Sequence, residues 1–348
     1  MLHIMHKQLN VHTCGIDLDE FKHIFNQSLE TCISFKLCDV LKGKKIIFSV
    51  DEKSLVPING WGSNRYDSYC TKITTLQPIR ESTIVAAIDS SDIQIAETEE
   101  GALYAIKSGI ALAIDGHALM HFKIGPVLFY FSDETIRYSE IDHRLAKLVL
   151  LDSEYAKRLI RMRVERAIQM ELSRHFTKSI ILIDGPLKSS LFDKKSCGIK
   201  NIAENCSLYK NSLIGISKST KLRILDRISV SLTKIPIPAY MDVDVIIKGL
   251  THNTIGSNLL VKFGNNNSPI LRVDLITANG DKDGALGKLL GNDSISSGYP
   301  ETLRLAHHIS TFTNTEVSCL RGHILSNYDV TELASEDIRR KLLSSISV

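Results

Sequence analysis

Two segments of this chain are built alike. Thr83-Ile84-Val85-Ala86-Ala87-Ile88-Asp89-Ser90-Ser91 and Ser179-Ile180-Ile181-Leu182-Ile183-Asp184-Gly185-Pro186 are β-branched, apolar runs that meet an aspartate followed by small or turn-forming residues. A run that apolar reads as a strand buried on both faces. The aspartate then stands at the strand's last position, just clear of the core. Two such strand ends side by side in one sheet bring two carboxylates together, which is costly unless a cation sits between them. A divalent metal site is the simplest explanation, and metal-assisted chemistry on phosphates is its commonest use. Taken singly, each aspartate reads equally as the cap of its turn.

The rest of the composition is permissive. The 348 residues suffice for one large domain or two modest ones, and 43% hydrophobic with 23% charged residues is ordinary for a soluble globular protein. A formal net charge of +3 neither demands nor excludes nucleic acid, because a basic groove can hide inside a nearly neutral total. Seven cysteines without a CxxC pair argue against a disulfide framework or zinc ribbon and fit a reducing cytosol. Met1 to Lys7 lacks the apolar core of a signal peptide. No apolar run reaches the roughly 18 residues of a membrane span, so no membrane association is expected.

Residues 1–80 read as a partly helical extension, with Asp17–Leu37 a helix, Ile46–Val50 a short strand and Asn59–Asn64 a loop. From residue 81 the pattern sharpens. Ile84–Ile88 is a strand, and Ala102–Ile114 and Ala118–Phe131 flank Asp115-Gly116, a hairpin turn signal. Asp115 is therefore a turn residue, although it stands in a third Ile-Asp-Gly sequence. Asp152–Phe176 reads as a helix capped by Asp152 or Ser153. Ile180–Ile183 and Leu213–Lys218 follow as strands, Lys221–Leu232 as a basic helix and Pro236–Pro238 as a linker. Ile246–Val261 and Ile270–Ile276 read as further strands, separated by Gly264–Asn267. Tyr299-Pro300 opens a helix that runs to about Thr311. No internal repeat is present, and the order suggests a mixed sheet with helices on its faces. Residues 331–348 read as a tail or helix.

Four further residues join the two aspartates as candidates. Glu165 shares a helix face with Met162, Ile168 and Leu172. An acid on a buried stripe needs a partner. That partner is either Arg161 or Arg158 in a salt bridge, or a metal shared with Asp89 and Asp184. Lys218 ends a strand, where a lysine is usually solvated; a functional one contacts a phosphate as a point charge. His307, one turn from Leu303, reads as a hydrogen-bonded core histidine or as a metal ligand or general acid; His308 reads as solvent-facing. Tyr299 is a turn aromatic, or it orients a phosphate or packs under the metal ligands. Carboxylate, helix carboxylate, carboxylate and late histidine is an order suited to two-metal phosphodiester hydrolysis, with cations roughly 4 Å apart.

These segments resemble the NurA family of archaeal and bacterial DNA nucleases. The resemblance is carried by Ala87 to Ser91, Arg161 to Glu165, Leu182 to Leu187, Gly215 to Lys218, Leu271 to Asp274, and Gly298-Tyr299-Pro300 with Leu303, Ala306 and His307, in the family's order over residues 81 to about 325. It implies an α/β, RNase H-like (Piwi-like) mixed sheet flanked by helices, with the nuclease domain at 81–330. It implies cleavage of DNA with manganese, or magnesium in its place, as two ions. A 5′–3′ exonuclease and single-strand endonuclease activity would serve DNA end resection and double-strand break repair in the cytoplasm. A homodimer and a hexameric HerA-type translocase are the implied partners. Asp89, Glu165 and Asp184 would be the acidic metal ligands; His307 would complete the site, Tyr299 support it and Lys218 approach the phosphate. Arg272 and Asp274 match a motif that is by default a structural ion pair.

Two positions depart from the family pattern. The first motif usually has a glycine-bearing turn where this chain has Ser90-Ser91, and Glu301-Thr302 replaces a frequent proline. Neither change removes a ligand. A dimeric adaptor that docks on a HerA-type ring with weak or lost catalysis is the alternative, and an acid retained on an apolar face speaks against it. An actin-like kinase would need a glycine-rich phosphate loop, and none is convincing. Lys221, Arg223 and Arg227 are expected to add to DNA affinity.

Overall fold

In this computed structural model the described residues are 42–43, 45–48, 72–139, 141–194, 196–218, 223–251, 254–265 and 268–332. The expected helix at Asp17–Leu37, the loop at Asn59–Asn64, Lys221, and all of the 331–348 tail beyond residue 332 lie outside them.

Among the described residues the strands are β1 (Lys45–Phe48), β2 (Ile73–Thr75), β3 (Val85–Glu97), β4 (Gly101–Ile114), β5 (His117–Ser132), β6 (Ile180–Asp184), β7 (Ser212–Ser217), β8 (Ala239–Asp242), β9 (Ser257–Lys262), β10 (Leu271–Ile276), β11 (Ile295–Ser296), β12 (Tyr299–Pro300) and β13 (Thr331–Glu332). The helices are α1 (His143–Leu151), α2 (Ser153–His175), α3 (Ile199–Leu208), α4 (Arg223–Thr233), α5 (Asp244–Leu250), α6 (Lys282–Asn292), α7 (Glu301–Ser310) and α8 (Asn314–Asn327).

β3, β4 and β5 form an antiparallel meander, and β6 then pairs parallel to β3 and β7 parallel to β6. The resulting order β5-β4-β3-β6-β7 is the layout expected of an RNase H-like core. The sheet continues antiparallel through β10, β9, β8 and β2, while β1 and β13 extend the other side. The Asp115-Gly116 turn is as expected: both residues have positive φ, 52° and 79°, which a tight hairpin needs.

Helices cover both faces. Leu159, Ile160, Val164, Ile168 and Leu172 of α2, with Ile202 of α3, pack on the face that carries Ala86, Ile88, Ile181 and Ile183. Leu286 and Leu289 of α6, with Leu303 and Ala306 of α7, cover the face of Val85, Ala87, Ile180 and Leu182. α2 begins where expected: the Asp152 carboxylate accepts from Glu154 N at 2.8 Å, and Arg174 and His175 stand in the last turn.

Two readings are corrected. Residues 246–261 are not one strand. Asp242 accepts from Asp244 N at 2.9 Å and Lys248 pairs with Asp244 at 2.6 Å, so the apolar run starts as helix α5, and β9 begins only at Ser257. A short apolar run does not distinguish helix from strand by periodicity. Pro236–Pro238 is, as expected, the irregular link between α4 and β8. Finally, the strand that carries Asp89 does not stop there; β3 continues to Glu97, paired with β4 on both sides of a bulge at Ile95. The turn expected at Ser90-Ser91 is absent, and with it any need for glycine.

No helix among the described residues is long and apolar enough to cross a membrane.

Candidate metal and active site

The sheet's register creates the site. The parallel ladder between β3 and β6 runs from Val85 opposite Ile180 to Ile88 opposite Ile183 and ends there. The next residue on each strand is an aspartate, Asp89 and Asp184. Beyond Ile88 this edge of β3 has no strand partner among the described residues until β1 pairs with Ala96 and Glu97. The carboxylates thus emerge where two parallel strands part, a place where open sheets bind ligands. Side chains alternate along a strand, so Asp89 shares the face of Val85 and Ala87, and Asp184 that of Ile180 and Leu182. That face is the one α7 covers.

α7 supplies the third group. His307 Nδ1 donates to Asp89 Oδ2 at 2.6 Å, and the Ser310 hydroxyl, one turn on, lies 3.2 Å from the same oxygen and 2.9 Å from the His307 carbonyl, the two acceptors for its one hydrogen. Ser91 Oγ in turn donates to the Ser310 carbonyl. α7 reaches this position because residue 109, opposite Asp89 on β4, is glycine. A Cβ there would overlap the Ala306 carbonyl oxygen and come within 2.8 Å of Ile309 Cβ. At its other end α7 is tied by Thr302 N, which donates to the buried Asp293 carboxylate at 3.2 Å.

One ligand atom each from Asp89, Asp184 and His307 lies within 4.8 Å of the others. Each aspartate commits Oδ2 to protein: that of Asp184 accepts from Lys218 Nζ at 2.8 Å. No hydrogen bond to either Oδ1 occurs among the described residues. Two carboxylates with an imidazole suit a hard or borderline divalent ion such as Mn2+ or Mg2+, so the donor set fits the expected metal.

Glu165 stands outside that cluster, on α2 across the sheet, but it feels both aspartates. Burial pushes its carboxyl up to about 8; Arg161 opposes the rise, while Asp89 and Asp184 add to it. The expected salt bridge to Arg161 or Arg158 is not made: Arg161 pairs with Asp92 at 3.2 Å, and Arg158 lies over the Phe192 ring. Glu165 is therefore an acid without a dedicated cation among the described residues, beside Asp184, which Lys218 pairs, and Asp89, which His307 holds.

Tyr299 lies beside the cluster, under Lys218. Its ring lies 5.4 Å beneath Lys218 Nζ, and its buried hydroxyl has no hydrogen-bond partner. Burial, then Asp184 and Asp89, raise its pKa far above the ordinary phenol, so the hydroxyl keeps its proton. His307 is half exposed, not the inward-facing core residue that was one reading of it; His308 is exposed, as expected. Arg272 and Asp274 form a buried bidentate pair with two contacts of 3.0 Å, and Asp274 also accepts from Leu187 N at 3.0 Å. This structural ion pair fastens the turn that follows Asp184. Ser310 and Asp92 escaped the sequence reading; only the i, i+3 spacing of Ser310 from His307 hinted at a shared face.

The NurA domain family model matches residues 83–311. The chain belongs to the NurA family. Among solved structures, the NurA nuclease from Sulfolobus solfataricus is 16% identical, with 74% of this chain and 87% of that one covered and a TM-score of 0.44. A NurA structure with manganese is 11% identical over 88% of this chain and 97% of that chain, with a TM-score of 0.43. A NurA bound to dAMP and manganese gives 11%, 73%, 90% and 0.42 in the same measures. No curated protein sequence matches the chain. The NurA match spans every candidate residue from Asp89 to His307.

Proposed function

We propose that this NurA-family chain is a metal-dependent nuclease that hydrolyses DNA phosphodiesters at Asp89, Asp184 and His307. The observation that carries this reading is the convergence of those three ligand atoms within 4.8 Å from three distant parts of the chain. Family membership and the manganese and dAMP named for its solved relatives support it.

Asp89, Asp184, His307 and Glu165 would hold two manganese or magnesium ions. When bound, such ions polarise a phosphoryl oxygen and make a coordinated water acidic enough to attack at neutral pH. The chain's own groups do the rest. Asp89 is oriented by His307 and Ser310, which leaves Oδ1 for a ligand. Glu165 would give up its proton to hold a cation. Lys218 presents an ammonium beside Asp184, where a substrate phosphate would meet it as a point charge. Tyr299 offers a protonated, otherwise unpartnered hydroxyl as a donor.

The finer reading is 5′–3′ exonuclease and single-strand endonuclease action in DNA end resection and break repair. It includes a homodimer that works with a HerA-type translocase, with 81–330 as the nuclease domain. Incubating a labelled oligonucleotide with the chain and manganese tests the core of it. Cleavage that disappears in Asp89→Ala and Asp184→Ala is expected. An intact oligonucleotide, with the chain bound to a translocase ring, would favour the adaptor role instead.

A further inference from the structure

Beyond the catalytic cluster, β3 and α2 together enclose a second feature. A cavity of about 200 Å³ is lined by Asp92, Glu154, Tyr155, Lys157, Arg158 and Arg161. Both of its walls lead back to the acids. Asp92 lies three residues beyond Asp89 on β3, about 10 Å at strand rise. Arg161 lies one helical turn, about 6 Å, from Glu165. Arg161 joins the two places electrostatically, since it pairs with Asp92 and also holds down the rise of Glu165.

The lining has donors to spare. Lys157 is committed to Glu154. Arg161 lies 3.2 Å from Asp92 Oδ2, yet that buried oxygen makes no hydrogen bond, so the guanidinium is near the carboxylate without being locked to it. Arg158 is exposed and has no carboxylate partner among the described residues; its guanidinium rests over the Phe192 ring at 5.5 Å. Tyr155, 38% exposed, leans on the same Phe192 with centroids 6.3 Å apart. Two guanidinium groups beside an exposed aromatic ring match a phosphate together with a base or sugar that stacks.

We propose that this cavity is a nucleotide subsite: Arg158 and Arg161 take a phosphate of the DNA strand that runs to the metal cluster, and Tyr155 stacks against its base. The proposal rests on the nuclease reading above and extends it to how the strand is held. It also gives the Asp92–Arg161 pair a role. The carboxylate keeps the guanidinium poised at the cavity wall until a phosphate arrives.

The test separates the two readings by measuring binding without cleavage. Fluorescence anisotropy of a labelled single-stranded oligonucleotide is followed with the full chain in EDTA, from 50 to 300 mM salt, and cleavage is assayed separately with manganese. Each phosphate contact contributes about 0.7 to the slope of log affinity against log salt for a single strand. Arg158→Ser should lower the slope by about that amount and weaken binding several-fold, Arg158→Lys should restore the slope, and Tyr155→Ala should weaken binding at unchanged slope. A wild-type chain that binds but does not cleave would refute the nuclease reading and leave the subsite standing. An unchanged slope and affinity in Arg158→Ser, with wild-type binding intact, would refute the subsite; a wild type that neither binds nor cleaves the oligonucleotide would refute both.

Discussion

His307 Nδ1 lies 2.6 Å from Asp89 Oδ2, although 218 residues separate them. The bond fixes the imidazole: Nδ1 carries the hydrogen, and Nε2 keeps the lone pair that a metal needs. His307→Asn should retain a donor near Asp89 but lose the second nitrogen. Manganese affinity measured by titration calorimetry should fall by about 10-fold or more, while the melting temperature stays close to wild type. Unaltered affinity would exclude His307 as a ligand.

Ser310 shares Asp89 Oδ2 with His307 and is itself fully buried. Ser310→Ala should cost about 1 kcal/mol of stability. The larger effect should be on the site, with cleavage down by about 10-fold at limiting manganese and partly recovered at excess. A loss that manganese does not relieve would point to misfolding of α7 rather than to a loosened Asp89.

Gly109 lets α7 lie directly on β4. Gly109→Ala forces the Cβ into the Ala306 carbonyl and toward Ile309. Denaturant unfolding should show a loss of about 1–3 kcal/mol. Cleavage should fall further than that destabilisation explains, because the helix that shifts is the one holding His307 and Ser310.

Glu165 gives a pH signature. Its folded-state carboxyl is pushed up to about 8, from an ordinary value of 4.5. The sign follows from the direction: the contribution is fully present below 4.5 and is lost as pH rises through about 8, because the neutral acid must ionise in place. Without metal, the wild type should therefore lose more stability between pH 5.5 and 8.5, on the order of three units higher, than Glu165→Gln does. Parallel stability curves for the two would show that Glu165 ionises normally.

Glu316 gives the opposite signature at a distance from the site. Burial alone would raise it, but hydrogen bonds from Lys107, Thr313 N and Lys123 prevail and hold it at about 2. Lys107 is buried and reaches Glu316 at 2.7 Å and the Thr311 carbonyl at 2.6 Å, which fastens the segment after α7 to β4. This contribution is present above 4.5 and is lost as pH falls towards about 2. Glu316→Gln should cost about 2 kcal/mol at neutral pH, and the difference from wild type should shrink as acid is added.

The apolar runs through Ile88 and Ile183 declared two core strands and the aspartates next to them. The capped Asp152–Phe176 pattern and the Asp115-Gly116 turn were equally legible. Each is local chemistry: burial on both faces, a side-chain cap, a residue tolerant of positive φ. α6 and α8 were not legible, for opposite reasons. α6 carries three glycines, Gly284, Gly287 and Gly291, and α8 buries only Ile324, so it presents no apolar stripe, although Thr313 and Glu316 form a capping box at its start.

What the sequence determined by itself was the choice of groups: which acids, which histidine, which strands. Only the tertiary structure decided that β3 runs on past Asp89, that its ladder with β6 stops one residue earlier, and that α7 lies close enough to aim His307 and Ser310 at one oxygen. The physical reason is range. Strand and cap propensities act over a few residues, whereas register between β3 and β6 and the seat of α7 on Gly109 are set by packing between segments some 90 to 200 residues apart, which no local pattern encodes.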